Sequence, residues 1–390
     1  MTLERLRDPA RSIAAVCAVT LLASYALKEC PGRTASALGL QCHTDVVALY
    51  YARHLDDRLF PYVHGALADG RLVGGAIEYP VLTGLFMWSV SMLVSTPGDY
   101  FRATVLLLAP FGVATAFLLA RMAGRRALLW AAAPALLLYA FVNWELLVVA
   151  AFVFGLWLVR RGRRAWAAVA FGVGGALKLF PLLLLLPLSV ERWVAGDRRG
   201  AVACATVGTG AFVLVNAPFA VLGSEGWWAT YEFHRLREAN YDSIWRAGIP
   251  DVDAGAANLA SGVLVAASVA AAGVYGAQRR GADLFLPVAA ASVAVFLLWS
   301  KVHSSQYALW IMPFFVLLNV SVVWWIVYSL ADLVRFFGTL VGGADQALAD
   351  GLVAAGVWAR AALLAVLFFV FLRAVPVAAP DPPDAATRTS

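Results

Sequence analysis

The sequence predicts an all-α fold in which many hydrophobic helices cross a lipid bilayer as one bundle. Hydrophobic residues make up 62% of the 390 positions, whereas only 14% are charged. A soluble domain has about 25% charged and about 45–50% apolar residues. The apolar residues also fall in runs of about 20, the length that crosses a bilayer. Lipid offers the backbone no hydrogen-bond partners and the runs lack the alternation of barrel strands, so they are predicted to be helices.

Two polar stretches, about 29–79 and 223–255, interrupt the apolar runs. The end of the chain is rich in Pro, Asp, Ala and Thr, a composition that does not support a packed core. We therefore predict one transmembrane domain over 1–375 and a disordered tail over 376–390. The apolar runs lie near 12–28, 80–96, 100–121, 126–142, 144–160, 165–190, 200–222, 256–277, 283–300, 306–329 and 352–375.

The first apolar run follows three arginines and allows two interpretations. A cleaved signal peptide would need a small-x-small site, and the nearest one, at 35–37, lies beyond several charged residues. That is later than cleavage usually occurs, so a retained first transmembrane helix is favoured.

The net charge of +6 does not indicate a nucleic-acid partner, because the arginines form short clusters between apolar runs rather than a basic stripe. Such clusters usually remain in the cytoplasm. They comprise Arg121, Arg125 and Arg126, then Arg160, Arg161, Arg163 and Arg164, then Arg192, Arg198 and Arg199, and finally Arg279 and Arg280.

Two runs must differ from simple spans if every arginine cluster is to be cytoplasmic. The run at 80–96 is short and contains three serines, and we predict that it lies in the outer interface or re-enters the membrane. The run at 165–190 has Lys178 and Pro181 at its middle and arginines at both ends. A pair of short half-helices that turns near Lys178 at the outer side fits this pattern best.

This topology collects the polar segments on the extracytoplasmic side. They are 29–79, 143–145, the turn at Lys178, 223–255 and 301–306, and they contain all five histidines. A disulfide between Cys30 and Cys42 is plausible there, although two free thiols are an equal alternative. Cys17 and Cys204 lie in apolar runs and are expected to be packing residues.

Acidic residues of the outer segments are candidates for chemistry. Asp45 precedes a weakly amphipathic stretch, 46–59, that suggests an interfacial helix. Its carboxylate could act as a general base, or it could simply be a helix N-cap. Glu78 precedes an apolar run and is either a loop residue or a site acid. Glu145, which follows Asn143, lies close to the bilayer, where its charge requires a partner or a water-filled cavity.

Basic residues of the same segments allow similar pairs of interpretations. Lys178 could reach to the surface along its aliphatic stem or face an anionic headgroup, and Lys301, with His303, Gln306 and Tyr307, lies at an outer helix end. The stretch 227–246 combines aromatic residues with arginines. These could form the interfacial belt or bind a phosphate and a sugar or polyprenyl chain. The arginines are Arg235, Arg237 and Arg246.

Motifs for metals and nucleotides are absent from the sequence: it contains no H-E-x-x-H, no CxxC pair, no EF-hand loop, no Walker A sequence and no glycine-rich dinucleotide fingerprint. We therefore expect no metal and no cofactor, and a soluble nucleotide is an unlikely donor.

Taken together, these segments resemble the GT-C superfamily of membrane glycosyltransferases, and more closely the bacterial polyprenol-phosphate-mannose-dependent α-mannosyltransferases. The likeness runs from about residue 12 to about 320 and does not extend to the helices after about 330. It rests on His43-Thr44-Asp45, Glu78-Tyr79-Pro80, Asn143-Trp144-Glu145, Leu177 to Pro181, Asp242 to Trp245, and Lys301 to Tyr307 with Trp310 and Pro313.

The resemblance implies a long first outer loop with interfacial helices and an essential carboxylate there, which Asp45 matches best. The pair Asp56 and Asp57 is the alternative. It further implies transfer of a sugar, mannose by this likeness, from a polyprenyl phosphate to a glycan or glycolipid acceptor of the cell envelope. The phosphate would then lie near Lys178, Lys301 and Arg235 or Arg246.

Two other functions compete with glycosyl transfer. A transporter or flippase of lipid-linked sugars would explain charged residues within the membrane, but it predicts polar groups along a path across the bilayer. A non-enzymatic partner in envelope assembly would leave the outer Asp, Glu and Lys residues unexplained. We therefore expect a multi-pass cell-membrane enzyme whose active site is extracytoplasmic.

Overall fold

A computed structural model describes residues 8–29, 44–341 and 345–378. Over these residues the chain forms helices almost throughout, with one small β-hairpin, which confirms the all-α membrane bundle. The helices are α1 (Pro9–Lys28), α2 (Asp45–Ala52), α3 (Val81–Ser91), α4 (Pro97–Ala123), α5 (Leu128–Ala131), α6 (Pro134–Tyr139), α7 (Glu145–Arg160), α8 (Arg164–Leu177), α9 (Leu185–Val194), α10 (Arg198–Leu222), α11 (Ser224–Leu236), α12 (Ile244–Gly248), α13 (Ala254–Arg280), α14 (Phe285–Trp299), α15 (Ala308–Leu317), α16 (Val322–Val341) and α17 (Gln346–Arg373); the strands are β1 (Ala66–Ala68) and β2 (Arg71–Val73).

Six of the described helices, α1, α4, α10, α13, α16 and α17, are long and apolar enough to cross a membrane. Side-chain caps start several of them: Asp8 accepts from the Ala10 N–H, and Asp253 from the Ala256 N–H. Small residues let neighbouring helices approach closely. A Cβ added at Gly172 of α8 would lie only 2.1 Å from the Gly208 carbonyl oxygen of α10. The bundle is therefore held by backbone proximity as well as by apolar side chains.

The helix predicted within 46–59 is present as α2, but it begins one residue earlier and ends at Ala52. Thr44 is its N-cap, and the Thr44 Oγ1 accepts from the Val46 N–H at 3.2 Å. Asp45 is therefore the first residue of the helix, and the alternative that it serves as the N-cap is wrong. The β-hairpin that follows turns at Asp69 and Gly70, whose φ angles are 48° and 73°, as a tight hairpin turn requires.

Both predicted irregular runs are interrupted in the structure. Helix α3 has only 11 residues, which is about 16 Å of helix and too short to cross the bilayer. Helix α8 ends before Lys178, which is extended, and a 3₁₀ turn at Phe180–Leu184 leads into α9. Lys178 thus lies at the junction of two half-helices, as its sequence context predicts.

Two runs expected to be continuous helices are broken. The run at 126–142 divides into α5 and α6, with Pro134 beginning the second. The helix in the run at 306–329 stops at Leu317, because the backbone there pairs with residues 375–377. The Val377 N–H donates to the Leu317 carbonyl at 2.8 Å, and the Asn319 N–H donates to the Val375 carbonyl at 2.8 Å. The chain is anchored as far as Val377, and 379–390 lie outside the described residues.

Helices α16 and α17 form an antiparallel C-terminal hairpin packed against α12 and α14. The two helices touch closely at Gly356, where an added Cβ would lie 2.5 Å from the Arg335 backbone nitrogen. An ion pair between Asp332 and Arg360, 3.0 Å apart and almost fully buried, joins them. The family resemblance of the sequence does not extend to these two helices. They nevertheless contact the segment around Asp242.

Candidate active site

A cavity of about 910 Å³ opens where α2, α9, α11, α13, α14 and the 300–310 segment meet. Its lining has a polar end and an apolar arm. The polar end comprises Asp45, Glu78, Tyr79, Asn143, Lys178, His234, Arg237, Lys301, Gln306 and Tyr307; the arm includes Leu179, Leu183, Leu186, Val265, Ala266, Val269, Ala270 and Phe296. Seven of the eleven predicted site residues therefore share one cavity.

Asp45 is held at the polar end by the turn that precedes α7. Its backbone N–H donates to the Val142 carbonyl at 2.8 Å, and Asn143 Nδ2 donates to its Oδ2 at 3.0 Å. Gln306 Nε2 lies 3.5 Å from the same oxygen. The residue is only partly buried. Asp45 is thus an oriented carboxylate that faces a cavity, which is what a general base requires.

Asn143 also connects Asp45 to the hydroxyl group of Tyr79. The same Nδ2 group that contacts Asp45 also donates to the Tyr79 hydroxyl oxygen at 2.5 Å. Its Oδ1 accepts from the Trp144 N–H at 2.6 Å, which fixes the orientation of the amide. Asn143 therefore positions the Asp45 carboxylate, because its own amide group is held at both the nitrogen and the oxygen.

Glu145 has the partner that its place near the bilayer required. Its carboxylate forms an ion pair with the Lys178 ammonium group, and its Oε2 accepts from the Trp310 indole N–H at 2.6 Å. Glu145 is fully buried and does not line the cavity. Lys178 lines the cavity as a paired cation, and its contact with an anionic headgroup stays a prediction.

Aromatic rings surround the Lys178 ammonium group. Its Nζ lies 4.6 Å from the centre of the Tyr307 ring and 5.4 Å from the centres of the Tyr79 and Trp310 rings. Tyr307 and Trp310 stack at 3.9 Å, and Phe180 continues the stack on Trp310 at 4.1 Å. The ring faces attract the cation, and the stack gives this wall of the cavity a rigid aromatic surface.

Glu78 lies in the loop before α3, lines the cavity and has a paired carboxylate. Its carboxylate accepts two hydrogen bonds from Arg53, at 2.5 and 2.9 Å. The Glu78 carbonyl accepts from His234 Nε2 at 2.7 Å, and burial lowers the pKa of that ring. Thr230 Oγ1 donates to the neighbouring Ile77 carbonyl at 2.7 Å. These bonds fix α11 against the 77–80 segment.

Two cations of the cavity, Lys301 and Arg237, form no ion pair with any described residue. Lys301 Nζ donates to the carbonyls of Arg237 at 2.6 Å and His234 at 3.1 Å, at the C-terminal end of α11, where cations are favoured. Burial, together with the nearby Arg237, lowers the pKa of Lys301 to about 8. The Arg237 guanidinium contacts the Phe233 ring at 5.6 Å. Both residues line the cavity.

His303 lies behind the cavity wall rather than in it. Its Nδ1–H donates to the Leu297 carbonyl at 2.9 Å, and its backbone is paired with Asn240 in both directions, at 2.6 and 2.9 Å. Burial and the guanidinium group of Arg360 lower the pKa of His303 to about 3. The ring is therefore neutral and contributes to the shape of the 300–307 segment.

Two predicted residues, Arg235 and Arg246, are not brought to the cavity. Arg235 is exposed and pairs with Glu232 on the same turn of α11, while Arg246 donates to the Pro250 carbonyl. Arg237 replaces them. Arg237 was present in the sequence analysis as the second of the three arginines of 227–246, but which of the three faces inward depends on where α11 ends. Tyr79 was missed as a side chain, although it lies in the quoted Glu78-Tyr79-Pro80 motif.

The predictions for the cysteines, the alternative acidic pair and metal ligands have different outcomes. His43, Cys30 and Cys42 lie outside the described residues, so the predicted disulfide stays a prediction. Cys17 and Cys204 are buried free thiols, as expected of packing residues. Asp56 and Asp57, the alternative acidic pair, are exposed and do not line the cavity. Over the described residues, no group of three or more His, Cys, Asp or Glu side chains could hold a metal ion.

Comparison with known families agrees with this arrangement. The model of Glycosyltransferase family 87 matches residues 77–305, which include every cavity residue discussed above except Asp45, Gln306, Tyr307 and Trp310. No curated protein matches the chain significantly. The match covers more than half of the 390 residues, and it supports the coarser part of the resemblance seen in the sequence. The chain belongs to glycosyltransferase family 87 and is a multi-pass membrane glycosyltransferase.

Proposed function

We propose that this protein transfers a sugar, mannose, from a polyprenyl-phosphate donor to a hydroxyl group of an envelope glycan or glycolipid on the extracytoplasmic side of the cell membrane. One observation supports this most directly: a single cavity combines an oriented carboxylate, two cations without ion pairs and a long apolar arm. A donor of this class consists of a sugar, a phosphate and a hydrocarbon chain, and each part has a matching region.

The hydrocarbon chain would occupy the apolar arm. Helix α13 lines the cavity from Asn258 to Ala270, a distance of about 18 Å along the helix axis. Leu179 and Leu186 line the opposite wall and are 45% and 47% exposed on the surface of the bundle. An isoprenoid chain could therefore enter the arm sideways from the bilayer, and burial of its apolar surface would favour binding.

The phosphate would bind at Arg237 and Lys301. Arginine and lysine are the usual phosphate ligands, and neither of these two is neutralised by a carboxylate of the described residues. Lys178 is already paired with Glu145, so it would hold the aromatic wall in position rather than bind the phosphate. During transfer the phosphate becomes the leaving group, and cations placed where this negative charge develops would lower the barrier.

Asp45 would remove the proton from the acceptor hydroxyl. The hydroxyl oxygen would then attack the anomeric carbon in line with the leaving phosphate, so that a β-linked donor gives an α-linked product. Asn143 and Gln306 contact the Asp45 carboxylate at 3.0 and 3.5 Å and would keep it directed at the acceptor. A positioned general base contributes about 10²–10⁴-fold to a rate.

The choice of mannose rests on the resemblance of the sequence motifs to mannosyltransferases. A transporter would need a polar path across the bilayer. The inner arm of this cavity, around Val265 and Val269, is apolar and offers no such path.

The decisive experiment compares the wild type, Asp45→Asn and Asp57→Asn in detergent with radiolabelled polyprenyl-phosphate-mannose and an envelope-glycan acceptor. Asp57→Asn is a matched control, because it makes the same change at an exposed residue of the same outer segment. We expect transfer by the wild type and the control, and a loss of about 10²-fold or more in Asp45→Asn.

Three other results would each contradict part of the proposal. Full activity of Asp45→Asn would remove Asp45 as the base. Activity only with another polyprenyl-phosphate sugar would replace mannose. Activity with a water-soluble sugar donor, and none with any lipid-linked one, would contradict the donor class. Thermal unfolding of each variant tests whether a loss of activity comes from a loss of folding.

A further inference from the structure

The C-terminal hairpin of α16 and α17 lies beyond the matched family region, yet it is joined to the active-site segment by buried charges. Arg335 Nε donates to Asp242 Oδ1 at 2.6 Å, and Arg360 pairs with Asp332 at 3.0 Å. Arg360 also approaches the Asp242 carbonyl at 3.4 Å. The two arginines and two aspartates balance in charge, and three of the four side chains are at most 6% exposed.

Asp242 connects the hairpin to the residues beside the proposed base. Its second carboxylate oxygen accepts from Ser305 Oγ at 2.9 Å. Ser305 is the first residue of the 3₁₀ turn Ser305–Tyr307, and Gln306 is the second. Gln306 Nε2 lies 3.5 Å from Asp45 Oδ2. A continuous series of contacts therefore runs from Arg335 through Asp242 and Ser305 to the residue that touches Asp45.

The 240–243 segment is fastened to the same loop at a second point. Asn240 Nδ2 donates to the His303 carbonyl at 2.6 Å, and its Oδ1 accepts from the His303 N–H at 2.9 Å. The Asn240 N–H donates to the Lys301 carbonyl at 3.3 Å. Asn240 thus holds Lys301 and His303, while Asp242 holds the Ser305 end of the same loop.

Stability alone is a poor explanation for this cluster. Buried ion pairs gain little over apolar side chains of similar volume, because both charges lose their hydration. Arg360 Nε and Tyr328 OH are buried without a hydrogen-bond partner among the described residues, and such groups cost stability. What the charged pairs supply instead is direction, since a carboxylate that accepts from Arg335 on one oxygen and Ser305 on the other has one orientation.

We propose that Arg335 and Asp242 are positioning residues of the transferase, through which the C-terminal hairpin holds the 300–307 loop, and with it Gln306, against Asp45. The inference rests on the proposed role of Asp45 as the base. Neither residue lines the cavity, so they would act on the rate of transfer rather than on donor binding.

The test uses the full chain in detergent with Arg335→Ala, Arg335→Lys and, as control, Arg164→Gln. Arg164 pairs with Glu191 at 3.1 Å and is likewise partly buried, but it lies at the opposite end of α8 from Lys178. We expect Arg335→Ala to lower kcat by about tenfold or more while the KM for the donor stays unchanged. Arg335→Lys should recover much of the rate, and Arg164→Gln should keep it.

Hydrogen exchange gives a second readout that needs no donor. In Arg335→Ala the amides of 300–307 should exchange faster than in the wild type, while those of α7 should not. Loss of Arg335 leaves a buried carboxylate and could prevent folding, so Ser305→Ala is the second variant. It removes only the contact on the loop side, leaves Asp242 paired, and should show the same two changes.

Unchanged exchange in 300–307 would overturn the proposal, as would faster exchange with a normal kcat. A parallel loss of donor binding would overturn it too, because the hairpin would then act on the phosphate site. If the wild type transfers no sugar from any lipid-linked donor, the proposed function fails by itself. The exchange measurement still decides whether the hairpin holds the loop.

Discussion

The Lys178 ammonium group is paired with the carboxylate of Glu145, which lies 33 residues earlier in the chain and is fully buried at the start of α7. Lys178 itself interrupts the path from α8 to α9. The pair therefore ties the broken helix to the turn that carries Asn143, and three aromatic rings cover the ammonium group. A break in a membrane helix exposes backbone groups, and this one is tolerated because it packs on protein.

Removing one member of the Glu145–Lys178 pair should destabilise the protein more than removing both. A single buried charge left without its partner costs about 3–5 kcal/mol, whereas loss of a complete buried pair is often close to neutral. We expect Glu145→Gln and Lys178→Met each to lower the free energy of unfolding in detergent by this amount. The double variant should recover a large part of it.

The surface pair of Arg102 and Glu29, whose side chains are 55% and 23% exposed, provides the control for that cycle. Arg102→Gln should leave the unfolding midpoint nearly unchanged, since exposed ion pairs contribute little. Additive losses in the Glu145 and Lys178 double variant would mean that the two side chains act independently, and the structural interpretation of the pair would be wrong.

Arg237, and not Arg235, should determine the affinity for the donor. The two arginines lie two positions apart at the end of α11, but only Arg237 lines the cavity. A hydrogen bond to a charged group contributes about 1.5–3 kcal/mol, so Arg237→Ala should raise the KM for the donor by about tenfold or more. Arg235→Ala, measured in parallel by initial rates, should change it less than twofold. Equal effects of the two variants would contradict the proposed phosphate site.

Lys301 should make donor capture fall at alkaline pH. Burial and the nearby Arg237 lower the pKa of Lys301 to about 8, so its positive charge is present below this pH and is lost as the pH rises through it. A phosphate is bound better by the charged form. We expect kcat/KM for the donor to decrease above about pH 8, because kcat/KM reports the ionisation of the free enzyme.

Two variants test the assignment of that decrease. Lys301→Arg stays protonated at every accessible pH and should abolish the alkaline decrease. Arg237→Gln removes one of the groups that lower the pKa of Lys301 and should move the decrease to higher pH. A profile that is identical in all three proteins would assign the ionisation to another group.

Local signals in the sequence were sufficient for the bundle and for the break at Lys178. Long apolar runs predict spanning helices directly, and Pro181 next to a lone lysine predicts an interruption. The sequence also placed Asp45, Asn143 and Gln306 on one side of the membrane, because the positive-inside rule fixes the side of each loop. Their contacts follow from the fold, since Gln306 and Asp45 are 261 residues apart.

Partners distant in the chain explain what could not be predicted. The run at 306–329 is apolar throughout, and it breaks because Leu317 and Asn319 pair with the Val375–Val377 backbone. The choice between Arg235 and Arg237 depends on one helix end: Arg235 is in the last turn of α11, whereas Arg237 is its C-cap with an extended backbone. Helix ends are uncertain by one or two residues in any sequence-based prediction, and here two residues decide which arginine reaches the cavity.

The apolar arm should distinguish donors by the length of their hydrocarbon chain. Gly262 lies on the face of α13 that lines the arm, and an added Cβ there meets no atom within 4 Å. Gly262→Leu would therefore fit without strain but would fill the arm. Gly273→Leu makes the same change on the same helix, also with open space at the Cβ, and Gly273 does not line the cavity. Both substitutions replace a poor helix former by a good one, so their effects on helix stability should be alike.

We expect Gly262→Leu to raise the KM for a long-chain polyprenyl-phosphate donor by about tenfold, as displaced apolar contacts cost about 0.8 kcal/mol for each CH₂ group that is no longer buried. Gly262 lies about 6 Å along the helix from Asn258, at the start of the arm, so a short-chain donor analogue meets the new side chain too, but it has fewer CH₂ groups to displace and its KM should rise much less. Gly273→Leu should resemble the wild type with both donors. If Gly262→Leu impaired both donors equally, the substitution would act on the polar end of the cavity, and the hydrocarbon chain would have to bind elsewhere on the bundle.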